Sequence, residues 1–240
     1  MCKVEYLRKC LVIREKEKIT LVLGDLHLGY EKLMQIGGVN LEEKRFREII
    51  KEMKKIFEII GKKCDNIIIL GDLKNEFSKL SFEEREKILR FFDFLKEKIK
   101  ENGKILVVRG NHDNYLKGLT LKKEINTKVT YLWEGNFFAH GDQEIKEMWG
   151  PKVKRIFIGH LHPSISLEDG VKREVFKCFL EGEERGKKIV VLPSFTEVGE
   201  GKDVREIKEE KVLGLNWKKF RVIVVGDDKN YDFGEIKDLR

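Results

Sequence analysis

Apolar positions along the chain follow two rhythms. Residues 4–13 and 19–23 are short apolar runs either side of the charged turn Arg14–Lys18, and they read as two strands. Phe46, Ile49, Ile50, Met53, Ile56, Phe57 and Ile60 then recur at helical spacing until Gly61, behind a capping box of Asn40 and Glu43. The same grammar returns with Ser81 and Glu84, followed by Ile88, Phe91, Phe92, Leu95 and Ile99 and a stop at Asn102-Gly103. Unbroken apolar runs at 66–70 and 104–108 lie between and after these helices. Strand, helix, strand, helix, strand predicts an α/β fold with parallel pairing in the first half. Beyond residue 128 the helical spacing fades. Apolar runs at 128–133, 136–140, 155–158, 171–180, 188–192 and 219–225 predict a strand-rich second half, a second sheet packed on the first. Residues 28–40, with Gly29, Gly37 and Gly38, are too polar and glycine-rich for a regular element. With no repeat and no Pro-rich linker, one domain over residues 1–240 is expected.

Composition narrows the class. Hydrophobic residues are 41% and charged residues 38%, the balance of a folded globular chain. No apolar stretch approaches the roughly 20 residues of a membrane span and no leader pattern opens the sequence, so a cytoplasmic protein without a membrane partner is expected. Cys2, Cys10, Cys64 and Cys178 show no CxxC spacing, which argues against a zinc knuckle or a disulfide framework and for reduced, mostly buried thiols. The formal charge of +7 favours phosphate-bearing ligands, nucleic acid among them. That excess is spread thinly, and stretches such as 51–55 and 96–104 read as solvated surface.

Polar chemistry is concentrated where the apolar runs break. The run 104–108 opens into Gly110-Asn111-His112-Asp113, the run 19–23 into Gly24-Asp25-Leu26-His27, and the run 66–70 into Gly71-Asp72. Residues 136–139 lead to His140-Gly141-Asp142, and 155–158 to Gly159-His160-Leu161-His162. All five histidines stand at these junctions, which scattered core or surface histidines would not do. In open α/β sheets, ligands bind beyond the carboxyl ends of the strands, so loops distant in sequence can meet there. Asn111 offers an amide oxygen to a metal, the imidazole of His112 suits proton exchange, and Asp113 is placed to orient that imidazole. Asp25, His27, Asp72, Asn111, His140, His160 and His162 make seven oxygen and nitrogen ligands, where one structural zinc takes about four. Two ions fit better, and a spacing of about 3.5–4 Å between them calls for a bridging carboxylate, for which Asp72 is the candidate. In extended backbone, residues two apart point the same way, so both side chains of Asp25-Leu26-His27 and of His160-Leu161-His162 would face the ions, with the leucines turned to apolar packing.

These five blocks, in this order, resemble the calcineurin-like metallophosphoesterase superfamily, over roughly residues 19–162. The segments 24–31 and 71–77 are similar to an archaeal branch related to the nuclease subunit of the double-strand-break repair complex. The resemblance implies a two-sheet β-sandwich flanked by helices and a dinuclear site, most often of Mn²⁺ and in relatives also of Fe, Zn or Ni. One ion would be held by Asp25, His27, Asp72 and His162, the other by Asp72, Asn111, His140 and His160. The expected reaction is hydrolysis of a phosphate ester by a hydroxide bridging the ions, with His112 protonating the leaving alkoxide. Arg109 is a candidate phosphate clamp. Asn75, where relatives of this branch often carry His, is a weaker substrate contact, together with Lys74 and the loop around Tyr30. Asp142 reads as structural, and Pro193-Ser194-Phe195 with Glu197 as a possible border of the cleft. Two rivals stand beside a phosphodiesterase: a nuclease acting on DNA or RNA, and a non-catalytic scaffold of the same fold, which should have lost ligands. None of the seven is missing here, and because the long extensions that bind DNA and the ATPase partner in the repair nuclease have no counterpart in these 240 residues, DNA-end processing is not part of the expectation. Oligomeric state is left open.

Overall fold

Strands that read as unbroken apolar runs need cover on both faces, and the fold supplies it. The computed structural model describes residues 2–29, 41–77, 79–168, 170–196, 199–207 and 213–239. Its first half contains β1 (Lys3–Leu7), β2 (Cys10–Glu15), β3 (Lys18–Leu23), α1 (Leu41–Ile60), β4 (Cys64–Ile69), α2 (Phe82–Lys98), β5 (Ile99–Val108), α3 (Lys117–Lys122) and β6 (Asn126–Lys128). The second half contains β7 (Thr130–Trp133), β8 (Asn136–Ala139), β9 (Arg155–Ile158), β10 (Pro163–Glu168), β11 (Arg173–Glu184), β12 (Lys187–Val191), β13 (Lys202–Asp203), β14 (Arg221–Val225) and β15 (Asn230–Glu235). Strands β1 to β6 form one sheet in sequence order, with β3, β4, β5 and β6 parallel neighbours. The remaining strands form the second sheet, in which β8, β9 and β12 run parallel.

Alternate side chains of the central strands serve two cores. Ile19, Leu21 and Leu23 of β3, Ile67 and Ile69 of β4, and Ile105 and Val107 of β5 pack under α1 and α2, against Phe46, Met53, Ile56, Phe91, Phe92 and Leu95. The residues between them, Val22, Ile68, Leu106 and Val108, point the other way and meet Phe138, Phe157, Phe179, Val190 and Leu192 of the second sheet. Burying each such side chain contributes about 1.5–3 kcal/mol, and this two-sided demand explains why the pattern is continuous rather than alternating. The outer face of the second sheet carries a third core around Trp217, Phe220, Met148 and Ile236, roofed by single 3-10 turns rather than by long helices.

Several expectations shift in detail. The run 4–13 is two strands, because the chain reverses at Arg8-Lys9, with Arg8 at φ 52° and Leu7 facing Cys10 across a hairpin. Helix α2 ends at Lys98, short of Asn102: Ile99 joins the ladder opposite Cys64, and the Lys100 ammonium takes both oxygens of Asp65 at 2.9 Å. Pairing and an ion pair outweigh helical continuation there. The Ser81–Glu84 capping box forms as expected, each side chain bonding the other's backbone N–H at 3.1 Å. The Asn40 cap, Tyr30 and Glu197 lie outside the described residues. Strand β15 was not legible because it is a largely exposed, polar edge. All four cysteines are free, three of them buried. No helix among the described residues is long and apolar enough to cross a membrane.

Phe157 stacks on Phe138 between the sheets, with ring centroids 5.2 Å apart. Phe157→Ala is therefore expected to lower unfolding free energy by about 3–5 kcal/mol in urea titrations. Ile59→Ala, on the exposed side of α1, should change it by less than about 0.5 kcal/mol.

Candidate metal centre

The two sheets place the carboxyl ends of β3, β4, β5, β8 and β9 on one rim, so the five loops meet. Backbone bonds knit them: Asp25 N–H donates to Gly71 at 3.0 Å, His27 N–H to the Asp72 carbonyl at 2.9 Å, and Gly159 N–H to the His140 carbonyl at 2.8 Å. The alternating pairs are not extended as expected. Asp25 and His27 have φ 54° and 45°, His160 and His162 φ 65° and 47°, and Asp72 φ 48°, all in the left-handed region. Each such non-glycine residue costs about 1–2 kcal/mol, so the rest of the fold holds them there. The consequence drawn from the alternation still holds, since Leu26 is buried under the helices and Leu161 in the outer core of the second sheet. Two glycines are required by contact: a Cβ at Gly110 would lie 2.2 Å from Asp72 Oδ1, and one at Gly159 2.5 Å from Asp25 Oδ2.

Asp25, His27, Asp72, Asn111, His112, His140, His160 and His162 come together. Three overlapping trios, Asp25–His27–His162, His27–Asp72–His112 and Asp72–His140–His160, each bring ligand atoms within 4.8 Å of one another. Asp72 Oδ2 lies between the groups, 3.9 Å from His27 Nε2 and 3.3 Å from His140 Nε2. On one side His162 Nε2 sits 3.3 Å from Asp25 Oδ1 and 3.3 Å from His27 Nε2. On the other, His140 Nε2 sits 3.0 Å from Asn111 Oδ1 and 3.1 Å from His160 Nδ1. The backbone fixes several of these groups: His140 Nδ1 donates to the Leu70 carbonyl at 2.7 Å, His112 N–H donates to Asp72 Oδ1 at 3.0 Å, and His160 N–H to the Asp25 carboxylate at 3.1 Å.

This donor set fits divalent cations. His27 is buried, its Nδ1 has no hydrogen-bond partner among the described residues, and its Nε2 faces another ring nitrogen, so lone pairs converge with too few protons to share. Burial pushes the His27 imidazole down to about 4 despite the Asp25 charge, and burial also lowers His160. At Asp72, burial would raise the carboxyl, but the His140 hydrogen bond and charge outweigh it and bring it to about 2. His140 is the counterpart: burial opposes its charge, yet Asp72 and Asp25 hold its proton up to about 9. Imidazole nitrogens, an ionised central carboxylate and an amide oxygen are the ligands that hard and borderline divalent ions take, once His140 gives up its proton.

Around the cluster the structure redistributes the expected roles. Asp113 does not hold the His112 ring: its buried carboxylate accepts the N–H groups of Leu73 at 2.9 Å and Gly110 at 2.8 Å, bracing two site loops, and burial raises it to about 6. The His112 ring is held instead by the Asn75 carbonyl, which accepts from Nδ1. Asn75 therefore reaches the cluster through its backbone, which no side-chain reading could have shown. Lys74 is fully buried and cannot meet a substrate at the surface. Arg109 is exposed and borders a cleft of 660 Å³ that also touches His140 and Asp142. Phe195 N–H donates to the Gly24 carbonyl at 3.1 Å, so that loop backs the site from inside. Phe77 was missed: its exposed ring stacks on His112 with centroids 3.7 Å apart. An aromatic residue five positions after Asp72 was the available signal.

A two-sheet α/β sandwich with a convergent Asp/His cluster at its strand ends is the architecture expected of a metallophosphoesterase. Residues 19–231 match the calcineurin-like phosphoesterase family, and the chain belongs to it. Among solved structures, the nuclease MPE of Pseudomonas putida is similar with a TM-score of 0.63 at 17% identity, over 97% of this chain and 100% of that one. A protein of unknown function from Aquifex aeolicus gives 0.39 at 18% identity, over 60% of this chain and 78% of that one. At these identities the first likeness bears on the fold, and the second carries no weight. A search of curated proteins found no match.

Because His140 of the metal-free chain keeps its proton up to about 9, an ion binding at Nε2 must displace it. Metal uptake at pH 7 should release protons, and apparent affinity should rise with pH until about 9. Calorimetric titration in buffers of different protonation enthalpy reads this directly; heats independent of the buffer would contradict it.

Proposed function

We propose that the chain hydrolyses phosphodiester bonds, acting as a single unit over residues 1–240, with two divalent ions at the cluster and manganese the first to test. One ion would be held by Asp25, His27, Asp72 and His162, the other by Asp72, Asn111, His140 and His160. What carries this reading is the position of the Asp72 carboxylate between two imidazole groups, the arrangement a shared ligand requires. Bound there, the ions would supply Lewis acidity for phosphoryl oxygens and lower the pKa of a coordinated water from about 15.7 towards 7.

The remaining work falls to protein groups. His112 is the proposed general acid: with Nδ1 committed to the Asn75 carbonyl, its Nε2 faces the cluster 3.9 Å from Asp72 Oδ2, and in the imidazolium form that nitrogen can protonate a departing alkoxide. Asp113 acts at one remove, tying Gly110 and Leu73 so that both flanks of His112 stay in register. Arg109 is the proposed phosphate contact at the edge of the cleft. The complete ligand set, with His112 beside it, supports an enzyme over a scaffold that keeps only the fold.

His112→Ala should retain metal yet lose about 10²–10⁴-fold in kcat on a diester with an alkoxide leaving group, and much less on bis-p-nitrophenyl phosphate, whose leaving group needs no proton. Equal rates of wild type and variant on the alkoxide substrate would remove the acid role. Asp72→Ala should lose both ions by elemental analysis, and retention of two ions per chain would remove the bridge. Absence of hydrolysis with Mn²⁺, Ni²⁺, Zn²⁺ and Mg²⁺ alike would favour the scaffold.

A further inference from the structure

Large apolar side chains left in water are informative when they gather. Tyr115, Leu121 and Val129 are 59%, 67% and 50% exposed, and all three line the 660 Å³ cleft that also touches His140. Arg109 and Lys117 stand at the same cleft, with the exposed Asp142 and the buried Asp113 also on its lining, so its wall combines apolar surface with two cations and two carboxylates, of which Asp113 is committed to the Leu73 and Gly110 N–H groups. Tyr115 is held at φ 68°, a backbone region unfavourable to any residue with a Cβ. Its exposed ring is carried by a loop anchored at the candidate centre, with Asn114 N–H bonded to the His112 carbonyl at 2.9 Å.

We infer that this cleft is a nucleotide subsite of a single-stranded nucleic acid, with Tyr115 the platform on which a base stacks and Arg109 and Lys117 contacts to the flanking phosphates. Resting on the phosphodiesterase reading, it specifies the substrate. The volume falls within the roughly 300–1,000 Å³ of sites that enclose a small organic group. Aromatic platforms beside cations are how unpaired bases and their backbone are held without sequence preference. A base can lay its face on a side-chain ring only when it has left the duplex stack, so the base this recess takes is unpaired.

The test uses the full chain, with chelator present so that turnover does not intervene, and fluorescence anisotropy of labelled strands. Wild type should bind an oligothymidylate about tenfold more tightly than an abasic strand of equal length. That ratio should fall towards one in Tyr115→Ala and persist in Tyr115→Trp. Lys117→Ala should weaken both strands alike and lower the slope of log affinity against log salt by about one. Equal binding of the two strands by wild type, or an intact ratio in Tyr115→Ala, would overturn the subsite. Manganese-dependent hydrolysis of bis-p-nitrophenyl phosphate, assayed in parallel, keeps the two readings apart. Hydrolysis without base preference leaves the phosphodiesterase standing and removes the subsite. Base preference without hydrolysis does the reverse.

Discussion

The structure turns on an arrangement that is unfavourable by itself: imidazole nitrogens, an amide oxygen and two buried carboxylates, with neighbouring pairs 3.0 to 3.9 Å apart. Without a cation, such groups must find protons to share, and the chain shows that they do so incompletely. Asp72 and His140 form a charged pair, while the buried His27 keeps a ring nitrogen without a partner among the described residues. Buried polar atoms in this condition raise the free energy of the folded state unless a ligand satisfies them. The cluster is therefore a place that a bound cation would stabilise.

What holds these groups in place is the sandwich behind them. Five residues of the cluster sit in the left-handed region, and together they cost several kcal/mol at about 1–2 each. Their loops cannot relax, because Leu26 and Leu161 are anchored in separate cores and Gly110 and Gly159 lie against the Asp72 and Asp25 carboxylates. The same architecture sets the orientation of rings. Leu70, the last residue of a buried run, turns His140 through its carbonyl, and Asn75 does the same for His112. Precision at the site thus comes from main-chain atoms at strand ends, and the charged side chains follow.

How much of this was legible in the sequence depends on what was being read. The central strands and both long helices follow from their patterns, because each apolar position answers to one of two cores. The cluster was legible because its residues stand at strand ends, and the family that the motifs resemble is the one matched over residues 19–231. Local geometry was not. The alternation Asp-Leu-His suggested extended backbone, yet left-handed residues achieve the same separation of polar and apolar side chains. Asp113 looked like the orienting partner of its neighbour His112, but adjacency in sequence says little about which loop a buried carboxylate braces. The 3-10 roof over the second sheet was hidden for another reason, since single turns carry too few residues to establish a period.

The central claim is that one carboxylate is shared between two cations. Diffraction from manganese-loaded crystals, with anomalous maps recorded at the manganese edge, tests it most directly. Two peaks about 3.5–4 Å apart, one on either side of the Asp72 carboxylate, are expected. A single peak, or two peaks with no common ligand, would contradict the account.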